Sequence, residues 1–106
     1  MNEERSQEKI RKVRRDPAWL SVFRIFERFD GDERIWAHVD LERERINFKE
    51  MLDDGTFSGG ERRMIKIAAS LFNQDYEINL WSVLGNLDEE NSAVVVKAIE
   101  DFLGLS

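Results

Sequence analysis

The sequence predicts a mostly α-helical single domain. The expected architecture is a compact helical bundle in which two helix–loop–helix units, within residues 46–103, pack on a helix at 17–29. Three observations carry this expectation. An apolar stripe at helical spacing runs through 17–29, residues 46–72 recur in altered form at 78–102, and each expected helix follows a residue able to cap it. With 42% hydrophobic residues, seven Phe and three Trp, the 106-residue chain can fill one core despite 36% charged residues.

The elements follow in order. Residues 1–15 are polar and basic, with Ile10 and Val13 as an isolated apolar pair, and are expected to fray. Residues 16–106 are expected to form the domain. Asp16-Pro17 is a helix start, an N-cap followed by proline at the first helical position. Trp19, Val22, Phe23, Phe26 and Phe29 then recur at three- and four-residue steps, with Leu20 and Ile25 widening the stripe. Asp30-Gly31-Asp32 ends that helix, because glycine accepts the left-handed cap conformation. Residues 32–45 carry mixed signals. Ile35, Ala37, Val39 and Leu41 alternate as in a strand, yet no second strand is evident to pair with it. A short helix at 32–38 followed by an irregular segment is the expectation there.

The second half repeats itself. Ile46-Asn47-Phe48 and Met51-Leu52 match Ile78-Asn79-Leu80 and Val83-Leu84 thirty-two residues later. Phe57-Ser58 matches Leu87-Asp88, and Met64, Ile65, Ala68 and Phe72 match Val94, Val95, Ala98 and Phe102. Asn47 and Asn79 cap the short helix of each copy, with Leu80, Val83 and Leu84 directed inward in the second. Ser58 and Asp88 cap the long helices, and Ser58 with Glu61 forms a capping box.

Charge and residue usage narrow the chemistry. Net charge is −6, and all of it lies in residues 67–106, where Lys97 stands against seven carboxylates. No cysteine is present, and His38 is the single histidine, which excludes disulfides, thiolate sites and histidine metal clusters. Asp30, Asp32 and Glu33 lack the twelve-position pattern of a calcium loop and read as helix termination and the next N-cap. No apolar run approaches the ~20 residues of a membrane span, and the charged start lacks the apolar stretch of a signal peptide, so a cytoplasmic protein without membrane contact is expected.

Residues 57–68, FSGGERRMIKIA, resemble the signature motif of ABC-type ATPases and their chromosome-maintenance relatives, and Leu87-Asp88 falls at the spacing of that family's D-loop. The resemblance implies that Ser58 and the helix N-terminus face the γ-phosphate of a nucleotide held by a partner subunit. It covers about thirty of the 106 residues and has marked departures. No GxxxxGK[ST] loop is present, and Trp81-Ser82 stands where the family has the Asp-Glu of its magnesium ligand and base. Residues 76–80 read as a cap rather than a buried strand. A Ser-x-x-Glu box opening an amphipathic helix explains the same letters. The expectation from the residues is therefore no cofactor, no metal, no catalytic residue and no enzymatic activity.

Two kinds of partner remain. A small adaptor or regulator would bind another protein through large aromatics outside the main stripe, with Trp36, Tyr76 and Trp81 as candidates. The alternative is a DNA-binding regulator in which residues 47–72 form a helix-turn-helix-like unit. Arg62, Arg63 and Lys66 would then contact DNA together with the basic run Lys9, Arg11, Lys12, Arg14 and Arg15.

Overall fold

The computed structural model describes residues 16–105. The basic run at Lys9, Arg11, Lys12, Arg14 and Arg15, and the fraying expected of residues 1–15, lie outside them. The described residues form six α-helices and one small hairpin: α1 (Pro17–Phe26), α2 (Glu33–Trp36), β1 (Val39–Asp40), β2 (Arg45–Ile46), α3 (Phe48–Asp53), α4 (Gly59–Phe72), α5 (Leu80–Leu84) and α6 (Glu89–Leu103). The mostly α class is as expected.

Each helix begins where the sequence offers a cap. The Asp16 carboxylate accepts from Ala18 N at 2.8 Å, and the Asn47 and Asn79 side chains accept from Glu50 N and Ser82 N. Asp88 accepts from Asn91 N at 2.7 Å. At Ser58 the box is closed both ways: the hydroxyl accepts from Glu61 N at 3.1 Å, and the Glu61 carboxylate accepts from Ser58 N at 2.8 Å. Each such cap satisfies an otherwise orphaned backbone donor and stabilises its helix by about 1 kcal/mol.

Helix α1 is the spine of the core. Trp19, Val22, Phe23, Ile25 and Phe26 are all buried on it, because the stripe is wide enough to meet neighbours on two sides. It packs along both α4 and α6. Arg24 pairs with Asp101 at 2.8 Å, and Arg28 with Glu90 at 3.0 Å, so α1 and α6 run antiparallel. On the other flank six rings close a circuit through four helices. Trp19 meets Phe72, which meets Phe48, then Phe26, Trp36, Phe23 and Trp19 again, with centroids 4.9–6.1 Å apart.

The internal repeat holds in three dimensions. Met51 and Val83 are buried on the short helices, and Ile65 with Val95, and Ala68 with Ala98, on the long ones. It breaks at two pairs: Phe48 and Phe72 join the aromatic circuit, whereas their counterparts Leu80 and Phe102 are exposed.

Three details differ from expectation. The helix expected over 17–29 is α-helical to Phe26 and tightens into a 3-10 turn at Glu27–Phe29 before Gly31 takes a left-handed φ of 73°. Helix α2 stops at Trp36, short of residue 38. Residues 39–46 are a hairpin, with Val39 opposite Ile46 and Asp40 opposite Arg45. Two-residue strands are too short to leave a periodic signature, which is why the partner strand was not evident. The Asp40 carboxylate braces the turn by accepting from Arg43 N.

Candidate functional site

Two features of the second half are candidates: the turn that opens α4, and the outward face of α5.

The α4 turn is held by Arg34, whose fork donates to both oxygens of Asp32, at 3.0 and 2.7 Å. The same guanidinium donates to the carbonyl and hydroxyl of Thr56 at 3.1 Å, reaches Glu61 at 3.3 Å and lies 4.2 Å over the Phe57 ring. One side chain thereby ties α2 to the capping box. Two aspartates beside it are favoured in the ionised form. Asp32 lies below the ordinary aspartate range chiefly because Arg34 donates to it, and Asp54 is lowered by the Thr56 hydroxyl and then the Thr56 N–H. Arg34 is raised in turn, chiefly by the Asp32 hydrogen bond.

Ser58 is exposed at the tip of this turn, but its hydroxyl and N–H are both engaged by Glu61. Of the three basic residues expected on the helix, one is engaged within the fold. Arg62 is half-buried and donates to the carbonyl of Leu52 at 2.8 Å and of Asp54 at 3.3 Å, tying down the end of α3. Arg63 folds back beside Gly59. Arg63 and Lys66 are half-buried. Arg62 therefore works inside the α3–α4 connection, and Arg63 and Lys66 are the described remainder of the proposed DNA set.

The three aromatic candidates separate. Trp36 belongs to the ring circuit, and its indole N–H donates to the Phe29 carbonyl at 3.1 Å. Tyr76 is half-buried against the core. Trp81 stands in solvent, 89% exposed, on a helix of five residues. Only Val83 of α5 reaches the core. Leu80 and Leu84, expected to point inward, are 61% and 40% exposed and line a shallow apolar hollow of about 420 Å³ with Trp81 and Gly85. The inward assignment fails because a five-residue helix tethered at one residue turns a single side to the core. Its far end is tight: Gly85 N donates to the Trp81 carbonyl at 2.9 Å, and a Cβ on Gly85 would lie 2.8 Å from that oxygen. The Asn86 amide donates to the Ser82 carbonyl at 2.7 Å.

Sequence reasoning missed Arg34, because nothing in ERIW marks one arginine as the bridge between distant turns. The His38 ring faces Glu50, with Nδ1 at 3.5 Å from the carboxylate.

No family model matches the chain, and no solved structure matches it. The chain is similar to phosphonates import ATP-binding proteins. The one from Agrobacterium fabrum is 33% identical over 82 residues, that of Rhizobium meliloti 34%, and that of Rhizobium etli 32%. In each case the match covers 77% of this chain, which spans only 28% of the relative. This similarity overturns the expectation of no enzymatic activity, since the proteins the chain matches are ATP-binding import proteins. Residues 80–84, holding Trp81 and Ser82, are a capped helix turned outward. Among the described residues, no helix is long and apolar enough to cross a membrane.

Proposed function

We propose that this chain works by docking on another protein through the outward face of α5, in the setting of an ATP-binding assembly. The observation that carries the reading is the exposure of Trp81 between Leu80 and Leu84. An indole in water leaves a large apolar area unburied, and covering one at an interface removes roughly 150–250 Å². At an interface centre such a side chain is worth about 2 kcal/mol or more.

The similarity to import ATP-binding proteins supports the nature of the assembly. The phosphate-holding GxxxxGK[ST] segment is not among these 106 residues, so nucleotide binding in such an assembly rests on residues beyond them. The chain's own contribution is the signature-like turn at the start of α4 and the exposed apolar face of α5. An adaptor or regulator acting in the cytoplasm, where ATP is held, fits both.

A photo-crosslinking amino acid placed at position 81 tests the reading in the chain's own host, with the same group at the exposed Lys49 as control. A discrete protein adduct at 81 and none at 49 is the expected result. Equal, diffuse labelling at both positions would overturn it.

A further inference from the structure

The surroundings of the α5 face narrow the chemistry of what docks there, provided the docking proposal holds. Leu80, Trp81 and Leu84 supply the apolar part of the surface. The chain on either side is acidic: Asp75 and Glu77 precede α5, and Asp88, Glu89 and Glu90 follow it. Chain length alone keeps Glu77 and Asp88 within about 11–14 Å of the nearest leucine as an upper bound. As upper limits these distances are about one and a half Debye lengths, ~8 Å each at physiological salt.

Little positive charge answers them. Lys97, the single cation in residues 67–106, is paired with Glu100 at 3.8 Å. Arg28 reaches Glu90 from the 3-10 turn that follows α1. Asp75, Glu77 and Glu89 make no ion pair with any described residue. An exposed apolar centre is thus preceded and followed by exposed acidic chain, which favours a partner of opposite charge and disfavours an acidic one.

We infer that the α5 face takes a segment of a partner protein that is apolar on one side and flanked by lysine or arginine. Two synthetic 18-residue helix-forming peptides provide the probe, one with leucine on one face and lysine elsewhere, the other with glutamate for every lysine. Each is titrated into the full 106-residue chain at ~0.15 M salt, with the amide and indole N–H signals followed by NMR. The lysine peptide is expected to move the Trp81 indole and residues 80–84 saturably, and to bind at least tenfold more tightly than the glutamate peptide. Trp81→Ala is expected to weaken the lysine peptide tenfold or more.

Equal binding of both peptides at Trp81 would overturn the inference and leave docking itself intact. Lysine-peptide binding that ignores residues 80–84, or is undiminished by Trp81→Ala, would overturn it as mere attraction to an acidic surface. Failure of both peptides to bind would overturn it as well, whatever the crosslinking at position 81 returns. Movement of the Trp81 signal with protein concentration alone would also overturn it, making a second copy of the chain the occupant.

Discussion

Asp32 and Arg34 make the clearest case of a single pair organising a turn. The Asp32 carboxylate caps α2 through Arg34 N at 3.0 Å and grips the Arg34 guanidinium with both oxygens. Because that grip holds Asp32 below its ordinary value of 3.8, the pair stabilises the fold at pH above that value. The contribution fades as pH falls through the still lower folded-state value. Asp32→Asn is therefore expected to lower the urea midpoint at pH 7 and to flatten its decline on the acid side, as measured by unfolding from pH 2 to pH 7. An unchanged acid limb would mean the pair is not formed. Arg62 offers a second residue-level check. Its bonds to the Leu52 and Asp54 carbonyls make it part of the scaffold, so Arg62→Ala should lower thermal stability by about 1 kcal/mol.

Helix starts are the level at which sequence and structure agree most closely, for a physical reason. A cap is local chemistry: Asp16, Asn47, Ser58, Asn79 and Asp88 each bond a backbone N–H two or three residues on. Such contacts need no knowledge of the fold. Ser58→Ala is expected to cost about 1 kcal/mol in unfolding free energy, with the loss of protection confined to the first turn of α4 in amide exchange. The hairpin at 39–46 was half legible, because alternation ran through Val39 but the two-residue partner strand Arg45–Ile46 leaves no period. Helix α5 was half legible. Its cap was read correctly, but which side it buries depends on how far the loops hold it from α4, and Leu80 and Leu84 carry no mark of that distance.

Over the whole molecule, α1 makes a single unit of two otherwise repeated halves. On one side it reaches α6 through Arg24 and Asp101, the latter buried in the interface. Arg24→Met is expected to cost about 2 kcal/mol, seen as a lower urea midpoint with unchanged helical content. On the other side the six-ring circuit locks α1 to α2, α3 and α4. The aromatic stripe that builds this core was plain in the sequence. The candidate site was less so, because Trp36 and Trp81 are the same residue type in similarly patterned segments, and only tertiary packing lays one, partly buried, against the core and leaves the other in solvent. Their separation is best measured by equilibrium unfolding of Trp36→Ala and Trp81→Ala side by side. Trp36→Ala should lose about 3–5 kcal/mol, and Trp81→Ala should stay within about 0.5 kcal/mol of the parent chain. A loss of several kcal/mol at Trp81 would place that indole in the core and contradict the docking surface built on it.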